Sequence, residues 1–286
     1  MSALRRARVA IAKARAVGLR SAARVAWRRL SGHAQPFQFD EALAVFRSLS
    51  SHGPGVMVDV GAHFGGSLAP FLRAEWRVLA FEPDRLNRDA LKAAFGDVPA
   101  LIIDSRAVSE RREAGVVLFR SSLSTGISGL SKFHDSHRPA DRVDTVSLAE
   151  ALVERGIARV DFLKIDTEGH DLFVLRGIDW ERCAPSIIMC EFEDLKTRPL
   201  GYDYDALASY LTDRGYHVIV SEWYPVQAYG QRHEWRAFGK YPWVLGHPAA
   251  WGNLLATRDG DSLAKLEHCL GEMAQALATT GNTPGR

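Results

Sequence analysis

At residues 164–171 the run KIDTEGHD sets Lys164, Asp166, Glu168, His170 and Asp171 directly after the apolar stretch VDFL. Carboxylates, an imidazole and an ammonium this close together can hold a cationic ligand, take up a proton or pair with one another. Part of the set also suits scaffolding. Glu168 or Asp171 would cap a helix starting near His170, and Lys164 would neutralise a carboxylate. Further along, the apolar run SIIMCEFE carries Glu191, with Glu193 and Asp194 just beyond it. On neighbouring strand ends, Asp166 and Glu191 would bind a hard cation or stabilise a cationic ligand.

A second group lies nearer the N-terminus, where VDVGAHFGGS at residues 58–67 breaks from an apolar run into glycines. Gly61, Gly65 and Gly66 permit a tight turn and close backbone approach, ahead of a helix whose first amides suit a polar or anionic group. The spacing is not the dinucleotide fingerprint, because Ala62, His63 and Phe64 stand between Gly61 and Gly65. A ligand without a pyrophosphate fits it better. About twenty residues past Gly61, FEP places Glu82 where an acidic side chain accepts from both hydroxyls of a ribose. Together the two features indicate a nucleoside ligand. The run IDSRAVS adds Asp104, Arg106 and Ala107, which would meet an adenine edge or form a plain turn.

To bring these residues together the chain needs a sheet with its strand ends on one side. The runs GVMVDV, RVLAFE, ALIID, VDFLKID, SIIMCEFE, YHVIVSEW and GNLLAT alternate with helical segments such as RLNRDALKAAF and YDYDALASYLTDRG. That alternation predicts a parallel sheet with crossover helices, in which ligands sit beyond the carboxyl ends of the strands. Two long connections read as binding loops: 121–144, with His134 and His137, and 223–251, rich in aromatics.

In this order and spacing, VDVGAHFGGS, FEPD, SRAVSE and LKIDTEGHDLFVLRG resemble the FkbM family of S-adenosylmethionine-dependent methyltransferases, over roughly residues 56–193. The resemblance implies the class I methyltransferase fold, a doubly wound α/β structure with a mostly parallel seven-stranded sheet whose last strand is antiparallel. YHVIVSEW and GNLLAT then form the closing hairpin. It also implies that Asp59, Gly61 and Gly65, with Ala62, His63 and Ser67 of the same loop, hold the methionine end of the cofactor. Glu82 would hold the ribose, and Asp166 would lie by the amino acid moiety or the transfer site. His63 stands where the family frequently has asparagine, which leaves the role of its side chain open. Members commonly methylate hydroxyls of sugars, polyketides or other bacterial metabolites, and the resemblance does not choose among them.

Methyl transfer requires alignment of donor and acceptor and a base for the hydroxyl proton. Asp166 or His170 is the expected base. His134, His137, Trp223 and Tyr224, with Tyr229, His233 and Trp235, are the expected acceptor wall. A divalent cation held by Asp166 and Glu191 is the variant not favoured. Two other readings compete: a nucleoside- or glycan-binding module without catalysis, and a nicotinamide-dependent oxidoreductase, which would lack its pyrophosphate glycines.

The rest of the chain sets bounds. With 47% hydrophobic and 24% charged residues and a net charge of +2, it is an ordinary globular protein too near neutral to imply nucleic acid. Cys183, Cys190 and Cys269 show no CxxC spacing, which points to a reducing, cytoplasmic compartment. No stretch approaches the roughly 18 consecutive apolar residues of a membrane-spanning helix. Residues 1–40 read as a basic arm or accessory helix, with eight arginines and Lys13 before His33 and no acid before Asp40. Basic residues interrupt every candidate signal-peptide centre, whereas the composition fits a transit peptide. Peripheral contact with the inner membrane face or an anionic glycan through residues 1–33 competes with a solvated arm. Residues 41–278 are expected to form a single methyltransferase domain and 279–286 a flexible tail. Nothing in the sequence indicates the oligomeric state.

Overall fold

The computed structural model describes residues 8–12, 38–229 and 231–279. Most of the basic arm, on which the membrane contact and the solvated-arm reading compete, and residues 280–286 of the expected tail lie outside the described residues.

The strands are β1 (Val56–Val60), β2 (Arg77–Phe81), β3 (Leu101–Asp104), β4 (Ala107–Ser109), β5 (Val116–Ser121), β6 (His137–Val143), β7 (Thr145–Ser147), β8 (Phe162–Ile165), β9 (Ile187–Glu193), β10 (His217–Trp223), β11 (Trp235–Lys240) and β12 (Trp251–Thr257). From Glu41 onward the helices are α1 (Glu41–Leu49), α2 (Ala69–Arg73), α3 (Arg85–Phe95), α4 (Leu148–Glu154), α5 (Asp171–Arg176), α6 (Asp194–Thr197), α7 (Tyr204–Thr212) and α8 (Gly260–Thr279).

The main sheet has the order β11-β10-β12-β9-β8-β1-β2-β3. Strands β3, β2, β1, β8 and β9 pair in parallel, while β12 runs antiparallel to both β9 and β10. This is the doubly wound, mostly parallel arrangement expected, with the reversed strand inserted before the edge. Its central strands are buried on both faces, which is why they read as unbroken apolar runs. Alternate residues enter opposite cores: Val58 and Val60 pack in one with Leu163 and Leu207, and Met57 packs in the other with Phe71 and Leu266.

Among the described residues the sheet holds eight strands rather than seven. The added one, β11, lies within the 223–251 connection and pairs antiparallel with β10 as an edge strand. Its residues are only half buried, so its sequence lacks the apolar run by which the others were recognised. Trp235 anchors it, stacking on Phe39 at 4.1 Å and donating from Nε1 to Ser221 Oγ. The 121–144 connection is likewise part strand, because β6 pairs with β5 in a separate hairpin. Most of β6 is solvent-facing, which hid it.

All three cysteines are buried and unpaired. Among the described residues no helix is long and apolar enough to cross a membrane.

Candidate active site

Strand register brings three distant segments to one level. Val60 pairs with Phe81 on one side and Ile165 on the other, so Gly61, Glu82 and Asp166 each follow immediately beyond the sheet edge. The amides of Gly61 and Ala62 both donate to Phe81 O at 3.0 Å, and Asp166 N donates to Val60 O at 3.0 Å. Gly61 has φ +82, and a Cβ there would lie 1.9 Å from Asp166 O. Only glycine permits this crossing of the first and fourth parallel strand ends.

Above them, at the carboxyl ends of these strands, opens a cleft. Val108, Leu118 and Leu130 give it apolar walls, and Glu82 and Asn87 give it polar ones. Glu82 is buried, and its carboxylate accepts from His63 N at 2.7 Å and Asp84 N at 2.8 Å. Burial pushes its pKa up to about 8 against those hydrogen bonds. Each oxygen keeps a further lone pair. Asn87 donates from Nδ2 to Thr125 O, while its Oδ1 is buried with no hydrogen-bond partner among the described residues. An orphaned acceptor in a cleft wall is a position for a ligand donor. Acceptors for hydroxyl and amino groups between apolar walls fit a nucleoside.

A cover closes over this cleft. Asp84 caps α3 through Leu86 N, and its carboxylate also receives Arg120 at 2.6 Å and Ser128 Oγ at 3.1 Å. Those two residues flank the turn Thr125–Ile127, which lines the cleft through Thr125 and Gly126.

Asp166 stands where three cavities meet. The first is the cleft. The second is walled by Glu168, Glu191, Glu193, Lys196, Tyr229 and His233. The third holds Asp40, Ser67, Lys164, Glu191 and Trp223. Lys164 Nζ lies 3.2 Å from both Asp59 Oδ1 and Asp166 Oδ2. Burial raises the pKa of the fully enclosed Asp59. At Asp166 burial is outweighed by Lys164, then Lys196, so its carboxyl stays below the usual value.

The methyltransferase FkbM domain matches residues 59–218, over half of the chain. The chain belongs to the FkbM methyltransferase family. It is a methyltransferase that uses S-adenosylmethionine. No curated protein matches it in sequence. Solved structures similar to it at a low level include three methyl-transfer or precorrin enzymes. The precorrin 8W decarboxylase of Methanobacterium thermoautotrophicum is 13% identical, with 78% of this chain and 92% of that one covered and a TM-score of 0.40. The precorrin-6y C5,15-methyltransferase of Geobacter metallireducens is 14% identical, covering 76% and 87%, with a TM-score of 0.38. The O-methyltransferase of Bacillus cereus in complex with SAH is 8% identical, covering 83% and 90%, with a TM-score of 0.38.

Within this FkbM protein the residues expected from sequence divide. Gly61, His63, Glu82, Ala107, Asp166 and His170 all line the cleft. His63 has φ 48, stacks on Phe64 at 3.7 Å and meets Thr125 Oγ1 at 3.4 Å, so its ring reaches the cover. Ala62 is buried in the core beside the sheet, and Gly65 packs beneath Leu91 and Phe95 of α3. Ser67 and Asp59 belong to the Lys164 side.

Asp104 and Arg106 are turned elsewhere. Arg106 grips Asp104 through two nitrogens at 3.0 and 2.7 Å, Arg155 adds a contact at 3.1 Å, and Arg106 also reaches Glu154. Burial opposes ionisation of Asp104, but these arginines prevail and hold its pKa at about 2. Ala107 and Val108 line the cleft there instead.

The expected acceptor wall also changes. His137 is buried with both nitrogens engaged, Nε2 at 2.8 Å from Ile127 O and Nδ1 accepting from Phe133 N, so it anchors its loop. His134 Nδ1 accepts from Ser136 N, and the ring stands edge-on to Tyr229. Trp223 is buried, donates from Nε1 to Glu41 Oε1 at 2.7 Å and stacks on Trp251, touching only the third cavity. Tyr224 is exposed and walls none of the three.

Sequence reasoning missed Lys196 and Asn87. Lys196 is buried with its ammonium 2.6 Å from Glu168, 2.9 Å from Glu191 and 2.8 Å from Glu193. The available signal was the first base after a strand end carrying three acids. Carboxylate oxygens of Asp166, Glu168 and Glu191 lie within 4.8 Å of one another, yet Lys196 already supplies the cation that Glu168 and Glu191 need. His170 lies over Phe173, its Nδ1 without a partner among the described residues, and burial alone pulls its pKa down to about 4.

Proposed function

We propose that the protein methylates a hydroxyl of a sugar, glycan or related small metabolite. The observation that carries this reading is the position of Asp166, with the cleft lined by Glu82, Asn87 and apolar walls on one side and a cavity of carboxylates and aromatic rings on the other. Carboxylates accept hydrogen bonds from hydroxyls, and the faces of Tyr229, His233 and Trp251 suit a sugar ring. Bound S-adenosylmethionine supplies an electrophilic methyl carbon on a sulfonium sulfur. Glu82 and Asn87 would hold its nucleoside, and the 61–67 loop with Asp166 its amino acid end. The negative charge of Asp166, fixed by Lys164, favours a cationic donor beside it. The cover tied down by Asp84 excludes water, and the chain must align the acceptor and receive its proton. We place the reaction in the cytoplasm, with residues 1–33 as the segment that would reach the inner membrane face.

The test is incubation of the full chain with methyl-labelled S-adenosylmethionine and a panel of neutral methyl glycosides and their uronic acid counterparts. Label should enter neutral glycosides as an alkali-stable ether. Label in no hydroxyl compound sinks the reading.

A further inference from the structure

Glu168 belongs to two cavities, lining the nucleoside cleft beside His170 and the neighbouring cavity beside Glu191 and Tyr229. Its backbone has φ 58, a left-handed conformation that residues with side chains rarely adopt, and Gly169 follows at φ 97. A Cβ on Gly169 would stand 3.1 Å from Lys196 Cβ and 3.3 Å from Lys196 O. The strained turn thus brings α6 close and sets the Glu168 carboxylate on the Lys196 ammonium. Backbone strain of this kind persists where surrounding structure enforces it, commonly at functional sites.

We propose that Glu168 is the base that removes the acceptor's hydroxyl proton, with Lys196 as the residue that positions it. This rests on the reading that the acceptor occupies the cavity shared by Asp166 and Glu168. In the step, the acceptor O–H bond breaks and its proton passes to a Glu168 oxygen. The freed oxygen pair forms the bond to the methyl carbon. The carbon–sulfur bond breaks with its pair left on sulfur, so the sulfonium becomes a neutral thioether and Glu168 a neutral acid.

The alternatives are weaker bases. Asp166 is held ionised by Lys164, and burial makes the His170 ring reluctant to take a proton. Burial raises Glu168 to about 7, with Lys196 opposing and Asp166 and Glu193 adding to the rise. Glu191 on β9, and Tyr229 and His233 on the facing segment, complete the ionisable groups of that cavity. A base is most effective with a pKa near the working pH.

Glu168→Gln and Glu168→Asp test it with the full chain. Glu168→Gln should bind S-adenosylmethionine within about threefold of wild type by calorimetry. Its transfer to neutral methyl glycosides should fall on the order of 10²–10⁴-fold and lose the rise near pH 7. Glu168→Asp should recover part of the rate with a displaced pH profile. Near-wild-type transfer by Glu168→Gln, or a retained inflection near pH 7, overturns the proposal. If wild type labels no glycoside, the acceptor reading fails and carboxyl-carbon NMR decides the base instead. Glu168→Gln must then delete a signal titrating near 7, and a Glu168 carboxyl titrating in the ordinary range overturns it.

Discussion

The two sides of Asp166 are built by different physics. On the proposed donor side, Gly61, Glu82 and Asp166 arrive at one level because three neighbouring strands share a register, and backbone amides of His63 and Asp84 orient the Glu82 side chain. On the proposed acceptor side, three glutamates and a lysine, Glu168, Glu191, Glu193 and Lys196, hold one another by charge. The first side is geometry of the main chain. The second is a charge balance among buried side chains, and removing one member unbalances the rest.

That contrast predicts how each side breaks. Lys196→Met should have the largest effect, since it leaves three carboxylates buried without their cation. Breaking such a buried pair costs about 3–5 kcal/mol, to be read as a shift in the urea midpoint. An unchanged midpoint would mean the acceptor side does not depend on charge balance. Next, Glu82→Gln should leave folding intact and weaken S-adenosylmethionine binding by about ten- to a hundredfold, the cost of leaving a buried polar group without its partner. Calorimetry measures it.

The third effect is pH dependence. The folded pKa of Glu82, about 8, lies above its unfolded value. Between about pH 4.5 and 8 the folded state therefore holds a proton that the unfolded state has lost, and this contribution fades as pH rises. His170 works in the opposite direction, because its folded pKa of about 4 makes stability rise with pH up to its unfolded value near 6.5. Between pH 6.5 and 8 the Glu82 effect is unopposed by His170. Thermal unfolding of wild type should fall with pH there, and Glu82→Gln should flatten the slope by up to about 1.4 kcal/mol per pH unit. The smallest effect is Arg120→Ala, which frees the cover from Asp84 while Ser128 still holds it. Cofactor affinity should drop only about two- to fivefold, the range of one partly exposed ion pair.

The same contrast explains what could be read from the sequence. Strands β1, β2, β8 and β9 announce themselves as apolar runs, and the donor residues follow them within a few positions, so short motifs sufficed. Edge strand β11 and hairpin strand β6 face solvent and carry no such run. Asp104 looked like a ligand residue because its strand-end position was right, but Arg106 and Arg155 turn its carboxylate away. Glu168 looked like a helix cap. Its left-handed backbone and its contact with Lys196 depend on how α6 packs, which no local pattern encodes. His137 and Trp223 have types suited to a sugar pocket, and tertiary hydrogen bonds consume both.

The most direct measurement is titration of S-adenosylmethionine into Glu82→Gln and Glu168→Gln side by side. If the two sides of Asp166 do separate work, Glu82→Gln loses at least about tenfold in affinity, the lower end of the cost of leaving a buried polar group unpaired, while Glu168→Gln stays within about threefold of wild type. Equal losses in both, or the larger loss in Glu168→Gln, would contradict that division.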